Sequence, residues 1–157
     1  MLISKVKLRN LISVFALCTC LVSYGRDEPS PSGIHVELRN QNPALVRVTI
    51  WSRAKSAVTF PKYRLPWGNR YSMILVAVTP QGEYLDRVFP IDDPSPERVT
   101  FQPNEAMSGE IDLRNFFGHL DTALKKTDVH LFWAYKAPRE LEIAGWSGGW
   151  ILIPQQP

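Results

Sequence analysis

The sequence predicts an all-β sandwich with one short helix, and three observations support that prediction. Apolar and polar residues alternate in several short runs, most sharply in DVHLFWAY, which ends at Tyr135. Turn residues such as Pro, Gly and Asn separate these runs. One segment, at 115–126, has apolar residues at helical spacing. Because successive side chains of a strand point to opposite faces, the alternating runs indicate strands with one buried face.

The first half of the domain is predicted to begin with paired strands. Alternation at 34–38 and at 45–51 predicts an antiparallel pair, and Val58 with Phe60 marks a short third strand. The segment 61–71 contains two prolines, a glycine and three aromatic residues, which together predict a long irregular loop.

The middle of the chain is predicted to form a central strand and a hairpin. Residues 71–79 are almost continuously apolar, as expected for a strand covered on both faces. Pro80-Gln81-Gly82 then predicts a turn into a second strand at 83–89. The segment 90–97 has three prolines and three acidic residues, which predict an exposed connection.

The second half contains the strand on which the core is expected to depend. Val129, Leu131, Trp133 and Tyr135 share one face of the run that ends at Tyr135. We expect at least two of the five tryptophans to be buried, Trp133 first among them, and Trp133→Ala to cost about 3 to 5 kcal/mol. The other predicted elements are strands at 99–101, 107–113, 141–143 and 150–153, and a helix with Phe116, Leu120 and Leu124 on one face.

The N-terminus carries the features of an export signal. Lys5, Lys7 and Arg9 precede an apolar run at 11–22, and small residues follow up to Gly25. This order is typical of a secretory signal peptide at 1–25, followed by a flexible linker at 26–33 and one domain at 34–154. The apolar run is shorter than the roughly 20 residues of a membrane helix, and no later segment approaches that length. We therefore expect a periplasmic or secreted protein without a transmembrane segment.

The predicted mature domain contains no cysteine. Cys18 and Cys20 fall within the predicted signal, so cleavage after Gly25 would leave no thiol. The alternative is a lipoprotein anchored through Cys20, but Leu17-Cys18-Thr19 is a poor match to the small residue that usually precedes a lipidated cysteine.

The excess of basic residues is confined to the leader. The chain has 18 Lys and Arg against 15 Asp and Glu, and loss of Lys5, Lys7 and Arg9 would make the two numbers equal. Proteins that bind nucleic acid use a basic excess to neutralise phosphates, so nucleic acid is not an expected partner.

One motif resembles a catalytic signature. Gly145-Trp146-Ser147-Gly148-Gly149 matches the G-x-S-x-G nucleophile elbow, which needs a helix after the serine. Here Ser147 precedes an apolar run that predicts a strand, and no Asp or His follows, so a glycine-rich hairpin is favoured. His35, His119 and His130 lack the spacing of zinc hydrolases. We predict no enzymatic activity, no resident metal and no cofactor.

An acidic loop offers the remaining metal hypothesis. Asp92, Asp93 and Glu97 place three carboxylates close together, and calcium prefers oxygen ligands. The spacing matches no EF-hand, and Asp93-Pro94 is a common start of a turn. A solvated loop is the favoured interpretation.

The loop at 61–71 is the predicted binding surface. Aromatic and arginine side chains on a proline-stiffened loop resemble interface hot spots. The alternative is that Trp67 folds back and closes one end of the sandwich. The candidate binding residues are Tyr63, Arg64, Trp67, Arg70, Tyr71 and, near the last hairpin, Trp146.

The runs LPWGNRY, VAVTPQGEYLDRV, FQPNEAMSGEIDL and DVHLFWAY resemble the strand, turn and corner pattern of small secreted immunoglobulin-like domains. The nearest likeness is to bacterial proteinase-inhibitor and protease-accessory domains, and it covers roughly the last two-thirds of the mature chain. The resemblance implies an immunoglobulin-like antiparallel β-sandwich. No inhibitory loop can be transferred from it residue by residue.

We therefore expect an exported protein-interaction module whose protein partner lies in the periplasm or at the cell exterior. An inhibitor or immunity-type partner of a secreted enzyme is one form of this hypothesis. The alternative is a carbohydrate-binding module that uses exposed aromatic residues on a glycan.

Overall fold

A computed structural model of the chain describes residues 33–39, 42–89 and 95–156. The predicted signal peptide at 1–25 and the linker up to residue 32 lie outside the described residues. Within them the chain is mostly β, all strand pairing is antiparallel, and one α-helix occurs. The predicted fold class, an all-β sandwich with one short helix, is confirmed.

Eight strands and one α-helix follow one another along the described residues. The strands are β1 (Ile34–Arg39), β2 (Asn42–Trp51), β3 (Val58–Pro61), β4 (Met73–Val78), β5 (Arg98–Phe101), β6 (Ala106–Asp112), β7 (Val129–Lys136) and β8 (Trp146–Ile153). Helix α1 spans Leu120–Leu124, and single 3-10 turns lie at Lys62–Arg64, Leu113–Asn115 and Arg139–Leu141.

The strands form two three-stranded sheets and one two-stranded ribbon. The first sheet has the order β1-β2-β6, the second has the order β4-β7-β8, and β3 pairs with β5. The pairing of β1 with β2 confirms the predicted first pair. Alternate residues of the strands are buried in the core: Val46, Val48, Ile50, Met73, Leu75, Ala77, Val129, Leu131 and Tyr135.

The predicted core strand is β7, which lies in the middle of the second sheet. Trp133 packs against the core as expected, but it is only partly buried. Trp133 pairs with Gly149 of β8, where an added Cβ would lie 3.2 Å from the Trp133 ring. The expectation of at least two buried tryptophans is wrong, since Trp51 is buried, Trp67 and Trp133 are partly buried, and the other two are exposed.

The predicted central strand lies instead at a sheet edge. β4 is the outer strand of its sheet, and Ile74 is half exposed, so the prediction of burial on both faces is wrong. The turn after it forms as predicted, with the Gly82 N–H donating to the Thr79 carbonyl at 2.9 Å. The segment at 83–89 does not form a strand, because it pairs with β4 only through a bridge between Val78 and Tyr84.

Two further predictions need correction. The strand predicted at 141–143 is absent, because Leu141 ends a 3-10 turn and Glu142 has a φ of 55°, which takes the chain out of the extended region. The helix predicted at 115–126 is confined to α1. Phe116, Leu120 and Leu124 are nevertheless all buried, so the predicted apolar face is confirmed.

The described residues contain no helix that is both long and apolar enough to cross a membrane.

Candidate functional site: the outer face of the second sheet

The register of the second sheet aligns apolar residues in rows across its outer face. Ile74 pairs with Ala134, and Ala134 pairs with Gly148. The next row, two residues along each strand, joins Val76, Phe132 and Trp150. Since the intervening residues of each strand point into the core, these rows lie on the opposite, solvent side.

This surface is apolar across its whole width. We define the apolar face as Ile74, Val76, Val78, His130, Phe132, Ala134, Trp146, Gly148, Trp150 and Leu152. Trp146 and Trp150 are 60% and 59% exposed, and Phe132 is 46% exposed. No carboxylate occupies an outward position on the three strands, and Lys136, which pairs with Trp146, is the one lysine or arginine there.

The smallest residues of the apolar face form a shallow depression across it. Ala134 and Gly148 carry a methyl group and a hydrogen, so their row lies lower than its neighbours. Trp146 and Trp150 stand on either side of that row on β8, about 13 Å apart along the strand. The Trp150 ring leans on His130, with the ring centroids 5.6 Å apart and an interplanar angle of 54°.

The predicted binding loop at 61–71 packs onto the body of the domain. The Arg64 guanidinium forms an ion pair with Glu140 at 2.8 Å. The buried Tyr135 hydroxyl donates to the Arg64 carbonyl at 2.9 Å. Burial raises the pKa of Tyr135, and the nearby Arg64 charge opposes that rise to a smaller extent. The side chain and backbone of Arg64 are therefore both used within the fold.

The same loop is closed by bonds to its own backbone. The Asn69 amide and the Ser72 hydroxyl both donate to the Tyr63 carbonyl, at 2.8 and 2.7 Å. Trp67 is partly buried and packs against the core over Gly109 of β6, where an added Cβ would overlap the indole ring. This packing favours the alternative in which Trp67 closes one end of the sandwich.

The six predicted binding residues thus fall on different surfaces. Tyr63, Arg64 and Trp67 share the packed loop, whereas Tyr71 at its end is 53% exposed. Arg70 reaches the Asn115 carbonyl at 3.4 Å. Trp146 lies on the apolar face.

Sequence reasoning missed most of the apolar face. Trp146 and Trp150 were identified as aromatics that could contact a ligand, but Phe132 and Ile74 were not among the predicted binding residues, although a signal was present. The outward positions of β7 and β8 are apolar as well as the inward ones, which is unusual for a sheet with one face toward water.

The nucleophile-elbow motif and the acidic loop do not have the structural context that their chemistry requires. Ser147 is buried at the second position of β8, and the chain continues as a strand, so the context of a nucleophile elbow is absent. Asp92 and Asp93 lie outside the described residues. Glu97 is exposed and bonds to Lys62 at 2.7 Å, and the described residues contain no cluster of three metal-ligating side chains.

One concavity of the described chain lies away from these surfaces. It measures about 480 Å³ and lies between the turn after β4 and helix α1. Glu83, Asp86, His119 and Lys126 contribute mixed charges to its walls. None of the predicted binding residues lines it.

The chain matches no protein-family model and no curated protein.

Proposed function

We propose that this protein is an exported, non-enzymatic protein-interaction module that binds its partner through the apolar face. The observation that carries this proposal is the continuous exposure of Ile74, Phe132 and Trp150 across all three strands of one sheet. The largest apolar patch on a typical monomer covers roughly 300 to 600 Å² and is often functional, so an apolar face that crosses a whole sheet is a candidate interaction site.

The size of the face limits what it can hold by itself. Three strands about 4.8 Å apart, of six residues in β4 and eight in β7 and β8, give a surface of at most roughly 14 by 26 Å. A partner confined to this face would bury roughly 700 Å² in total, whereas a stable interface needs about 1,200 Å² or more. The partner is therefore expected to extend its contact beyond the three strands.

The charge distribution indicates the chemistry of that partner. Lys136 is the sole formal charge at an outward position of the sheet, at the Trp146 end. A complementary surface is therefore apolar and carries an acidic residue at its rim, because opposite charges at a rim guide association.

Site-specific photo-crosslinking tests the protein-interaction proposal. A photoreactive phenylalanine analogue is placed at position 132, at position 150 or, as a control, at the exposed turn residue Gln102. Cells that export the protein are irradiated, and adducts are identified by mass spectrometry. The same protein is expected to crosslink from 132 and 150 and not from 102. Adducts of equal yield at all three positions, or none at any, would contradict the proposal.

Export is the second part of the proposal, and it rests on the basic, apolar and small-residue order of 1–25. Intact mass of the protein from the periplasmic fraction is expected to correspond to a chain that begins at Arg26. A mass that includes residues 1–25, or a lipid on Cys20, would overturn it.

A glycan is the second candidate ligand. The specific observation in its favour is the pair of indoles, Trp146 and Trp150, on either side of the low row at Gly148. Aromatic rings on a flat surface can stack on sugar rings, because both present broad apolar faces. Binding to a defined polysaccharide on an array, lost in both Trp146→Ala and Trp150→Ala, would move the glycan ahead of the protein partner.

A further inference from the structure

The Arg87 guanidinium contacts two aromatic rings and forms no ion pair with a carboxylate of the described residues. Its guanidinium carbon is 5.4 Å from the ring centroid of Phe89 and 5.7 Å from that of Phe116. Its Nη2 donates to the Arg70 carbonyl at 2.6 Å. Among residues 33–39, 42–89 and 95–156, no Asp or Glu forms an ion pair with it. The charge of Arg87 is held in place by rings and one carbonyl.

The nitrogens of the Arg87 guanidinium differ in their exposure to solvent. Nε is buried and has no hydrogen-bond partner. Nη1 likewise has no bond to the described residues, but it is not among their buried unbonded atoms, so solvent reaches it. Burial lowers the pKa of Arg87, an effect that the neighbouring Tyr71 hydroxyl opposes. A half-buried cation of this kind gains from an anion that restores the lost solvation.

The rim of this region is aromatic and exposed. Phe89 is 68% exposed, and Tyr71 is 53% exposed. Arginine beside tyrosine and phenylalanine is the composition typical of interface hot spots.

We propose that Arg87 forms a binding site for an oxyanion, with the aromatic rim selecting a carboxylate that is flanked by apolar residues. Nη1 and the second N–H of Nη2, whose first N–H bonds to the Arg70 carbonyl, are the paired donors that match the two oxygens of a carboxylate. This site lies apart from the apolar face, and the inference does not depend on the function proposed for that face.

Nuclear magnetic resonance of the arginine side chains tests the site. Signals from Arg Nε–H groups are followed while inorganic phosphate, or the capped peptide Ala-Phe-Asp-Phe-Ala, is added. The Arg87 signal is expected to move with both, and the peptide is expected to bind at least tenfold more tightly because its rings contact Phe89. Equal affinities would overturn the selection of the ligand by the aromatic rim, and no movement of the Arg87 signal would overturn the site itself.

Matched variants separate this site from general attraction of anions. Arg87→Met should weaken binding of both probes more than tenfold. Arg98→Met is the control, because Arg98 also donates to a backbone carbonyl, that of Thr59 at 2.9 Å, and has no ring contacts. Equal losses of affinity in the two variants would show that binding depends on net charge alone, and they would overturn the proposal. Phe89→Ala should remove the advantage of the peptide over phosphate while leaving phosphate binding within twofold.

The acidic residues Asp92 and Asp93 supply the last control. They follow Phe89 closely in the sequence and lie outside the described residues. The double variant Asp92→Asn, Asp93→Asn should bind phosphate with wild-type affinity. If phosphate binds only to this variant, the chain fills the site with its own carboxylate and the proposal for an external ligand is wrong.

Discussion

The loop at 61–71 and the apolar face carry similar residues and use them in opposite ways. In the loop, Trp67 packs over Gly109, and Arg64 is bound to Glu140. On the apolar face, Trp146 and Trp150 point into solvent from a regular strand. The irregular segment is thus the packed one, and the regular strand presents the exposed aromatics.

This difference shows that the surroundings of an aromatic residue decide its role. A glycine at 109 leaves space on β6 that an indole fills, and loss of that contact would expose two apolar surfaces. No element of the described chain lies over the outer side of β8 in the same way, so its tryptophans remain available. Four substitutions can break or sharpen this comparison.

The largest expected effect is on Trp67. Trp67→Ala should lower the free energy of unfolding by about 3 kcal/mol, because a large side chain that packs against the core is removed. Trp150→Ala, the matched change on the apolar face, should stay within about 0.5 kcal/mol. Urea denaturation of both variants measures the difference. Equal losses would remove the distinction between the two regions.

The packing of Trp67 over Gly109 can also be tested by changing the glycine. Gly109→Ala should cost about 1 to 3 kcal/mol, because its Cβ would overlap the Trp67 ring and the loop would have to move. In a Trp67→Ala background the same change should cost much less. A double-mutant cycle without coupling would show that the two residues do not share the space.

The bond from Tyr135 to the loop should have a smaller effect. Tyr135→Phe removes the hydroxyl that donates to the Arg64 carbonyl and should cost about 1 kcal/mol. Tyr84→Phe is the control, since Tyr84 is 75% exposed. Thermal unfolding compares them, and a larger shift for Tyr84→Phe would argue against the anchoring of the loop by Tyr135.

The ion pair of Arg64 should contribute least. Arg64→Ala should cost less than about 1 kcal/mol, because both partners are partly exposed and solvent screens them. A hydrogen bond to its own backbone N–H, and then the Arg64 guanidinium, hold the pKa of Glu140 below its usual range.

A carboxylate with a lowered pKa stabilises the fold above its unfolded pKa, and this contribution is lost as the pH falls through the folded pKa. The difference between wild type and Arg64→Ala should therefore shrink in acid and in high salt. Denaturation series at neutral and acid pH measure it, and a difference that grows in acid would contradict the assignment.

Much of the fold could be predicted from residue patterns because strand alternation is a local property. The pairing of β1 with β2, the burial of Val129, Leu131 and Tyr135, and the apolar helical face followed from spacing alone. The strand at 141–143 could not be excluded in this way, because the backbone at Glu142 adopts a positive φ that short apolar runs do not reveal.

The candidate site was harder to predict than the fold. Trp146 was identified from its type, but Trp67 and Trp150 could not be told apart by type or neighbours. Whether Trp67 is covered depends on Gly109, which is distant in sequence and becomes its neighbour only when β6 takes its place in the first sheet.

The sequence by itself determined the fold class of this protein, because side-chain alternation and turn residues act over a few positions and set which face of each strand is apolar. The tertiary structure alone decided the order of the strands in each sheet. That order left β4 at an edge, placed Phe132 between Val76 and Trp150, and kept the outer side of the sheet exposed. The physical reason is that burial belongs to pairs of surfaces, and which surfaces meet is fixed by contacts between residues far apart in the chain.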